Sequence, residues 1–179
     1  LDLRLFGTLV VFMDSLMCQK KRVEKSCTAS VTFGEILLTI KENYFKEAIL
    51  EYKKRISKYN KIEIIEIPDY DYDVKSTIKK EGEAILKLIN KSDYNIVMDI
   101  NGKEFDSKSF AKKIDEIFIS KSTITFIIGG SYGIDELIKE KCDLKVSFSK
   151  LTFPHQLFRV VLLEQLYRSF KILNNEEYH

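Results

Sequence analysis

The clearest candidate for ligand contact is a glycine-rich loop in the C-terminal half of the chain. Gly129-Gly130-Ser131-Tyr132-Gly133 follows the apolar run from Thr123 to Ile128 and precedes a helical segment. Glycines at the carboxyl end of a buried strand let backbone N–H groups come close to a ligand in an open α/β sheet. The loop matches neither G-x-G-x-x-G nor a P-loop, so a tight turn and a cofactor contact both stay open as interpretations.

Two further candidates stand at the start of the last helical segment. His155 comes directly after Pro154, and Arg159 lies about one helical turn further along. The chain has two histidines, and imidazole is the side chain best suited to proton transfer near neutral pH. A structural histidine is the alternative for His155, whereas the guanidinium of Arg159 suits an RNA phosphate or a dimer contact. The tail from Glu176 to His179 would by its position alone be a frayed end.

Patterns for several other chemistries are absent from the sequence. No H-E-x-x-H, cysteine/histidine cluster or G-x-S-x-G occurs, so a bound metal and a hydrolase function have no support. Three cysteines at wide spacing indicate neither a disulfide framework nor a C-x-x-C site, and they favour a reducing cytoplasm. The apolar run from Leu3 to Met13 is too short for a membrane span, so no membrane partner is expected. A net charge of +2 does not by itself indicate nucleic acid.

The spacing of apolar residues predicts alternating strands and helices. Helices are expected over 41–60, 74–91 and 134–141, and another is expected to start at an Asp106 or Ser107 cap. Strands are expected over 61–67, 94–100, 123–128 and from Leu144, with Asn101 to Lys103 turning the chain after the second of these. Two more strands are expected within residues 5–13 and 30–40. This order predicts an α/β domain, a mostly parallel sheet flanked by helices, and connectivity rules alone would leave it unknotted.

The last helix is expected to run from Pro154 to Leu173 and is apolar around most of its circumference. Its main apolar stripe comprises Phe158, Val161, Leu162, Leu166, Phe170 and Leu173. Further apolar side chains off that stripe are Leu157, Val160, Leu163 and Tyr167. A domain of this size would not cover so wide a face by itself, so we expect a homodimer packed on this helix.

The same region resembles a known family. The matching residues are Ser147 to Gln156 (SFSKLTFPHQ), Arg159-Val160, Glu164-Gln165 and Tyr167-Arg168. They resemble the C-terminal signature of SPOUT-superfamily methyltransferases, most closely the small single-domain family that methylates a pseudouridine in large-subunit ribosomal RNA. The resemblance covers about residues 41–179. We therefore expect a single SPOUT domain over 36–179 and a divergent segment of uncertain status over 1–35.

The resemblance implies a Rossmann-like fold whose C-terminal part is tied into a trefoil knot. It also implies that S-adenosylmethionine binds between three loops at the ends of strands. The residues that match the cofactor contacts of the family are Met98, Gly129, Phe148, Ser149, Lys150, Leu151, Thr152 and Phe153. Without the resemblance, core packing would be the favoured interpretation of the two phenylalanines.

The implied reaction is methylation of N3 of a pseudouridine. Because so small and nearly neutral a protein would hardly select one nucleotide of naked RNA, we expect the assembled ribosome as substrate, in the cytoplasm that the cysteines favour. In the family, a terminal Tyr-His reaches toward the active site, so Tyr178 and His179 join His155 and Arg159 as candidate catalytic residues. The basic residue that follows Tyr-His in the family is missing here. A non-catalytic RNA- or ribosome-binding protein that keeps the fold is the alternative, and a doubly wound nucleotide-binding protein is the second.

Overall fold

The computed structural model describes residues 8–15, 42–67 and 73–178. Within these ranges the strands are β1 (Leu9–Ser15), β2 (Asn60–Glu66), β3 (Tyr94–Glu104), β4 (Thr123–Ile128) and β5 (Leu144–Ser147). The helices are α1 (Asn43–Ile56), α2 (Val74–Leu88), α3 (Ser107–Ser120), α4 (Glu136–Lys141) and α5 (His155–Leu173). The predicted strand over 30–40 lies outside the described residues.

The five strands form one mixed sheet in the order β2-β1-β4-β3-β5. β3 pairs in parallel with β4 and β5, but β1 is antiparallel to both of its neighbours. The expectation of a mostly parallel sheet is therefore wrong for the pairings of β1, although the other four strands share one direction. Leu9, Val10, Val11 and Met13 are all buried, so β1 is apolar on both faces. That composition marks an interior strand and does not encode its direction.

Helices cover both faces of the sheet, and each face has its own hydrophobic core. Ile49 of α1 and Ile114 of α3 pack with α5 on one face, whereas Ile85 of α2 and Ile138 of α4 pack on the other. Within β3, Met98 faces the first core and Val97 the second, as strand alternation requires. The result is the three-layer α/β arrangement that the alternation of elements predicted.

α5 lies against both α1 and α3, which explains much of its wide apolar surface. Leu162, Leu166 and Phe170 are buried as predicted, but Leu163, which was expected off the main stripe, is fully buried too. The buried face also contains polar side chains, namely Gln156, Arg159 and Ser169. Neighbouring helices of the same chain thus cover part of the surface that had suggested a second copy.

β3 carries a bulge where the sequence predicted a turn. Val146 of β5 pairs with both Met98 and Lys103, so the residues between these two loop out of the ladder and the strand then resumes. The predicted end of the strand at Asn101 to Lys103 is therefore wrong. A Cβ atom at Gly102 would lie 2.6 Å from the backbone N and C atoms of Val146. Glycine is needed there because β5 approaches the bulge so closely.

Candidate functional site

A cavity of about 410 Å³ opens at the edge of the sheet where β4 and β5 end, beside the bulge of β3. Its volume lies in the range of small-molecule sites. One wall is the β3 segment from Met98 to Ile100, and a second is the glycine loop after β4. The segment after β5 and the start of α5 complete the enclosure, with Phe158 among the lining residues. The ends of two strands and the bulge of a third thus contribute to one site, at the edge of the sheet where other α/β proteins bind ligands.

Aromatic side chains form much of the apolar wall. The rings of Phe148 and Phe158 have centroids 5.5 Å apart, and those of Phe153 and Phe158 are 5.9 Å apart. Phe148 also meets Phe110 of α3 edge to face, at 5.7 Å. Phe148 therefore joins the core of the α5 face to the cavity, so core packing is present, and its contact with a cofactor stays a prediction.

The glycine loop folds tightly on itself. The N–H of Gly133 donates to the carbonyl of Gly130 at 3.0 Å, and Gly133 has a φ of 83°, which favours glycine. A Cβ atom at Gly129 would lie 2.6 Å from Cγ1 of Ile134 and 3.2 Å from the carbonyl oxygen of Gly133. The tight turn is present, and the same residues line the cavity.

His155 lines the cavity at the first turn of α5 and is hydrogen-bonded to the backbone of Gly129. Burial lowers the pKa of this imidazole, and the positive charge of Arg159 lowers it further, against the opposing effect of the Gly129 hydrogen bond. The lowered pKa favours the neutral form of His155 at pH 7. This residue joins α5 to the glycine loop and presents its imidazole to the cavity.

Arg159 does not line the cavity. Its side chain is 1% exposed, and Nη1 donates to the carboxylate of Glu66 at the end of β2, itself only 5% exposed. An ion pair inside the chain thus stands where an RNA phosphate or a second chain was expected. The arrangement favours a structural role for Arg159, and the RNA or dimer contact stays a prediction.

The C-terminal tail is anchored on the chain, so the interpretation of a frayed end is wrong for its described part. The hydroxyl of Tyr178 donates to Glu164, which also accepts from Nε and Nη2 of Arg168 at 3.0 and 2.7 Å. The guanidinium of Arg168 lies 4.0 Å from the ring centroid of Tyr178. Burial raises the pKa of Tyr178, and so does its bond to Glu164. Tyr178 does not line the cavity of its own chain, and His179 lies outside the described residues.

Comparison with known proteins identifies the family. A family model described as "Predicted SPOUT methyltransferase" matches residues 35–179. The chain belongs to the SPOUT methyltransferase family. A protein of Methanococcus maripaludis is 53% identical over 148 residues, which cover 78% of this chain and 93% of the relative. The predicted resemblance is confirmed.

Two further relatives are named ribosomal RNA large subunit methyltransferase H. The protein of Caldicellulosiruptor saccharolyticus is 50% identical over 145 residues, covering 79% of this chain and 94% of its own length. That of Leuconostoc citreum is 47% identical over 157 residues, covering 83% of this chain and 96% of its own length. The match therefore extends over nearly the whole of each relative.

Most of the cofactor residues expected from the SPOUT resemblance meet at the cavity. Those that line it are Met98, Gly129, Phe148, Ser149, Leu151, Thr152 and Phe153. Lys150 is the exception, because its Nζ donates to the carbonyl of Ile100 at 3.3 Å and lies 3.7 Å from a carboxylate oxygen of Glu104. The side chain of Lys150 thus fastens the loop after β5 to the bulge of β3.

The cavity also contains an ion pair that sequence reasoning missed. Nζ of Lys139 lies 2.8 Å from Oδ2 of Asp99, and both side chains line the cavity. Burial opposes ionisation of Asp99, but hydrogen bonds from Lys139 and from the N–H of Asn101 outweigh it and lower the pKa. The bond to Asp99 raises the pKa of Lys139. A polar residue directly after Met98 in an apolar strand was an available signal for Asp99, whereas nothing distinguished Lys139 from neighbouring lysines.

S-adenosylmethionine fits the chemistry of this cavity. Aromatic and aliphatic walls suit a purine ring, and the charged pair together with the glycine loop offers polar groups to a sugar and an amino acid. Among the described residues no group of three or more His, Cys, Asp or Glu could hold a metal ion. None of the described helices is long and apolar enough to cross a membrane.

Proposed function

We propose that this SPOUT methyltransferase transfers the methyl group of S-adenosylmethionine to N3 of a pseudouridine in large-subunit ribosomal RNA. The observation that carries the proposal is the cavity, which collects all but one of the expected cofactor residues from the bulge of β3 and the ends of β4 and β5. The names of the relatives supply the substrate class. The position of the methyl group on the base follows from the family resemblance.

The residues present can hold the cofactor in a defined way. Phe148, Leu151 and Phe153 would cover the adenine ring, and the backbone at Gly129 would contact the ligand from the opposite wall. When bound, S-adenosylmethionine supplies a methyl group on positively charged sulfur. The task of the chain is to hold that group in line with the target nitrogen, because correct orientation removes a large part of such a barrier.

His155 is the candidate for proton handling. A ring nitrogen that carries its proton is a poor nucleophile, so a base beside it should help. Because its pKa is lowered, the imidazole of His155 is available in the neutral form at pH 7. Its bond to the backbone of Gly129 fixes its position on the cavity wall.

The finer features of the fold belong to the same proposal. Family membership supports a trefoil knot in the C-terminal part and a single domain over residues 36–179. Leu151 is 74% exposed and Leu157 is 38% exposed, which supports a homodimer that covers this apolar surface near the cavity. In such a dimer Tyr178, which stands outside its own cavity, would act on the site of the partner subunit.

Methyl transfer to ribosomes tests the proposed function. Labelled S-adenosylmethionine is supplied with ribosomes that lack the modification, with separate subunits and with naked ribosomal RNA, and the labelled nucleoside is identified by mass. We expect label on a pseudouridine of intact ribosomes. Gly129→Val should abolish cofactor binding and transfer, because even a Cβ atom there collides with Ile134. Lys113→Met, which alters a partly exposed ion pair on α3, is the matched control.

The outcomes separate the enzyme from its alternative. Absence of label with a folded chain that binds S-adenosylhomocysteine and ribosomes would favour a non-catalytic ribosome-binding protein. Normal cofactor binding by Gly129→Val would show that the cofactor lies elsewhere.

A further inference from the structure

Asp99 owes its position to the bulge of β3. The residue follows Met98, the last position before the ladder with β5 is interrupted, so its carboxylate stands at the edge of the sheet. Its side chain is only 8% exposed and lines the cavity. The close approach of Gly102 to Val146 closes the bulge and leaves this carboxylate at the cavity wall.

The carboxylate is oriented by two donors and retains capacity for more. Oδ1 accepts from the N–H of Asn101 at 2.9 Å, and Oδ2 is 2.8 Å from Nζ of Lys139. Lys139 is held in turn by Glu136 at 3.2 Å. Each oxygen of an ionised carboxylate can accept two hydrogen bonds, so Asp99 can accept one more at each oxygen. Two adjacent acceptor positions on a fixed carboxylate match a pair of neighbouring hydroxyl groups.

The order of the strands places Asp99 at the middle of the site. β3 lies between β4, which leads into the glycine loop, and β5, which leads into the aromatic segment from Phe148 to Phe153. S-adenosylmethionine has its ribose between the adenine and the amino-acid part. With the adenine on the β5 side, as proposed above, the ribose would lie beside the bulge of β3.

We propose that Asp99 binds the 2′- and 3′-hydroxyl groups of the cofactor ribose and that Lys139 is the positioning residue that orients its carboxylate. This rests on the proposed binding of S-adenosylmethionine. Acidic side chains at strand ends bind ribose hydroxyls in other doubly wound folds, because an ionised carboxylate is a strong acceptor. The ion pair keeps Asp99 ionised although it is buried.

Calorimetric titration of the full chain with matched ligands tests the assignment. The ligands are S-adenosylhomocysteine, methylthioadenosine, which lacks the amino-acid part, and the 2′-deoxy and 3′-deoxy forms of methylthioadenosine. For the wild-type chain we expect each missing hydroxyl to weaken binding about tenfold, as for a hydrogen bond to a charged acceptor. In Asp99→Ala both bonds are lost, so methylthioadenosine should bind about a hundredfold more weakly than to the wild-type chain, and removing either hydroxyl from the ligand should then change little.

Lys139→Met should reduce the preference for hydroxylated ligands and weaken S-adenosylhomocysteine and methylthioadenosine by the same factor. A merely structural role would leave the hydroxyl preference unchanged. Lys113→Met on α3 carries the same substitution at a remote pair and should match the wild type.

Three results would overturn the assignment. The first is that the wild-type chain binds the deoxy ligands as tightly as methylthioadenosine, and the second is that Asp99→Ala keeps the wild-type preference for hydroxylated ligands. The third is that Lys139→Met weakens the binding of S-adenosylhomocysteine alone, which would place the amino-acid carboxylate on Lys139. The wild-type ligand series is decisive even where a variant does not fold. Failure of the wild-type chain to bind S-adenosylhomocysteine would instead refute the proposed function.

Discussion

The interior ion pair between Arg159 and Glu66 should make Arg159→Met strongly destabilising. The two side chains are 1% and 5% exposed, so the substitution leaves the carboxylate of Glu66 buried without this counter-charge. Breaking a buried pair on one side costs about 3–5 kcal/mol. In a domain of this size each kcal/mol lowers Tm by about 2–4 °C, so the predicted loss is roughly 6–20 °C.

Thermal and urea unfolding, both followed by far-UV circular dichroism, measure the fall in Tm and in the free energy of unfolding. Methyl transfer to ribosomes is measured on the same variant. Arg159→Met/Glu66→Gln should recover much of the stability, because no single charge is then buried. The difference between the double variant and the sum of the single variants gives the coupling of the pair. Lys113→Met, whose partner Glu116 is 49% exposed, should change the free energy of unfolding far less.

One result would refute the structural interpretation of Arg159. This result is a free energy of unfolding for Arg159→Met within about 0.5 kcal/mol of the wild-type value, as is typical of surface substitutions, together with a loss of methyl transfer. The guanidinium would then act on RNA or on a second chain. The prediction from residue type would then be correct.

Two further variants probe the bulge and the cavity wall. Gly102→Ala should lower the free energy of unfolding by about 1–3 kcal/mol, because the new Cβ collides with the backbone of Val146, and unchanged urea unfolding would contradict this. With His179→Gln in place, NMR titration should give His155 a pKa below its ordinary value of 6.5, since burial and then the Arg159 charge disfavour the imidazolium. The stability that neutral His155 contributes is full above pH 6.5 and falls as the pH drops below it, and a pKa at or above 6.5 would refute the cause given.

Local signals in the sequence predicted most elements, because those signals are short-range. β4 occupies the predicted residues, and α5 begins directly after Pro154. Asp106 is the cap of α3, its side chain accepting from the N–H groups of Lys108 and Ser109. Direction and register are set by pairing partners distant in the sequence, so the antiparallel β1 and the bulge of β3 could not be predicted.

The glycine loop and the aromatic segment after β5 could be assigned to one site because the family resemblance connected them. Asp99 and Lys139 lie 40 residues apart in the sequence and meet only because α4 packs beside β3 on one face of the sheet. Periodicity gives the face on which a residue lies but not its distant partner. A search of the sequence for charged residues would therefore have found Asp99 and Lys139 separately, without indicating that they form an ion pair.

Arg159 shows how far residue type can mislead when burial is not considered. It stands three and four positions before Leu162 and Leu163, and three after Gln156, so helical spacing alone places it on the buried face of α5. Arginine is rarely buried without a carboxylate partner. That partner, Glu66, lies 93 residues away, and no local pattern connects the two. Helical spacing could therefore have raised the question of a structural role, but the tertiary fold was needed to supply the answer.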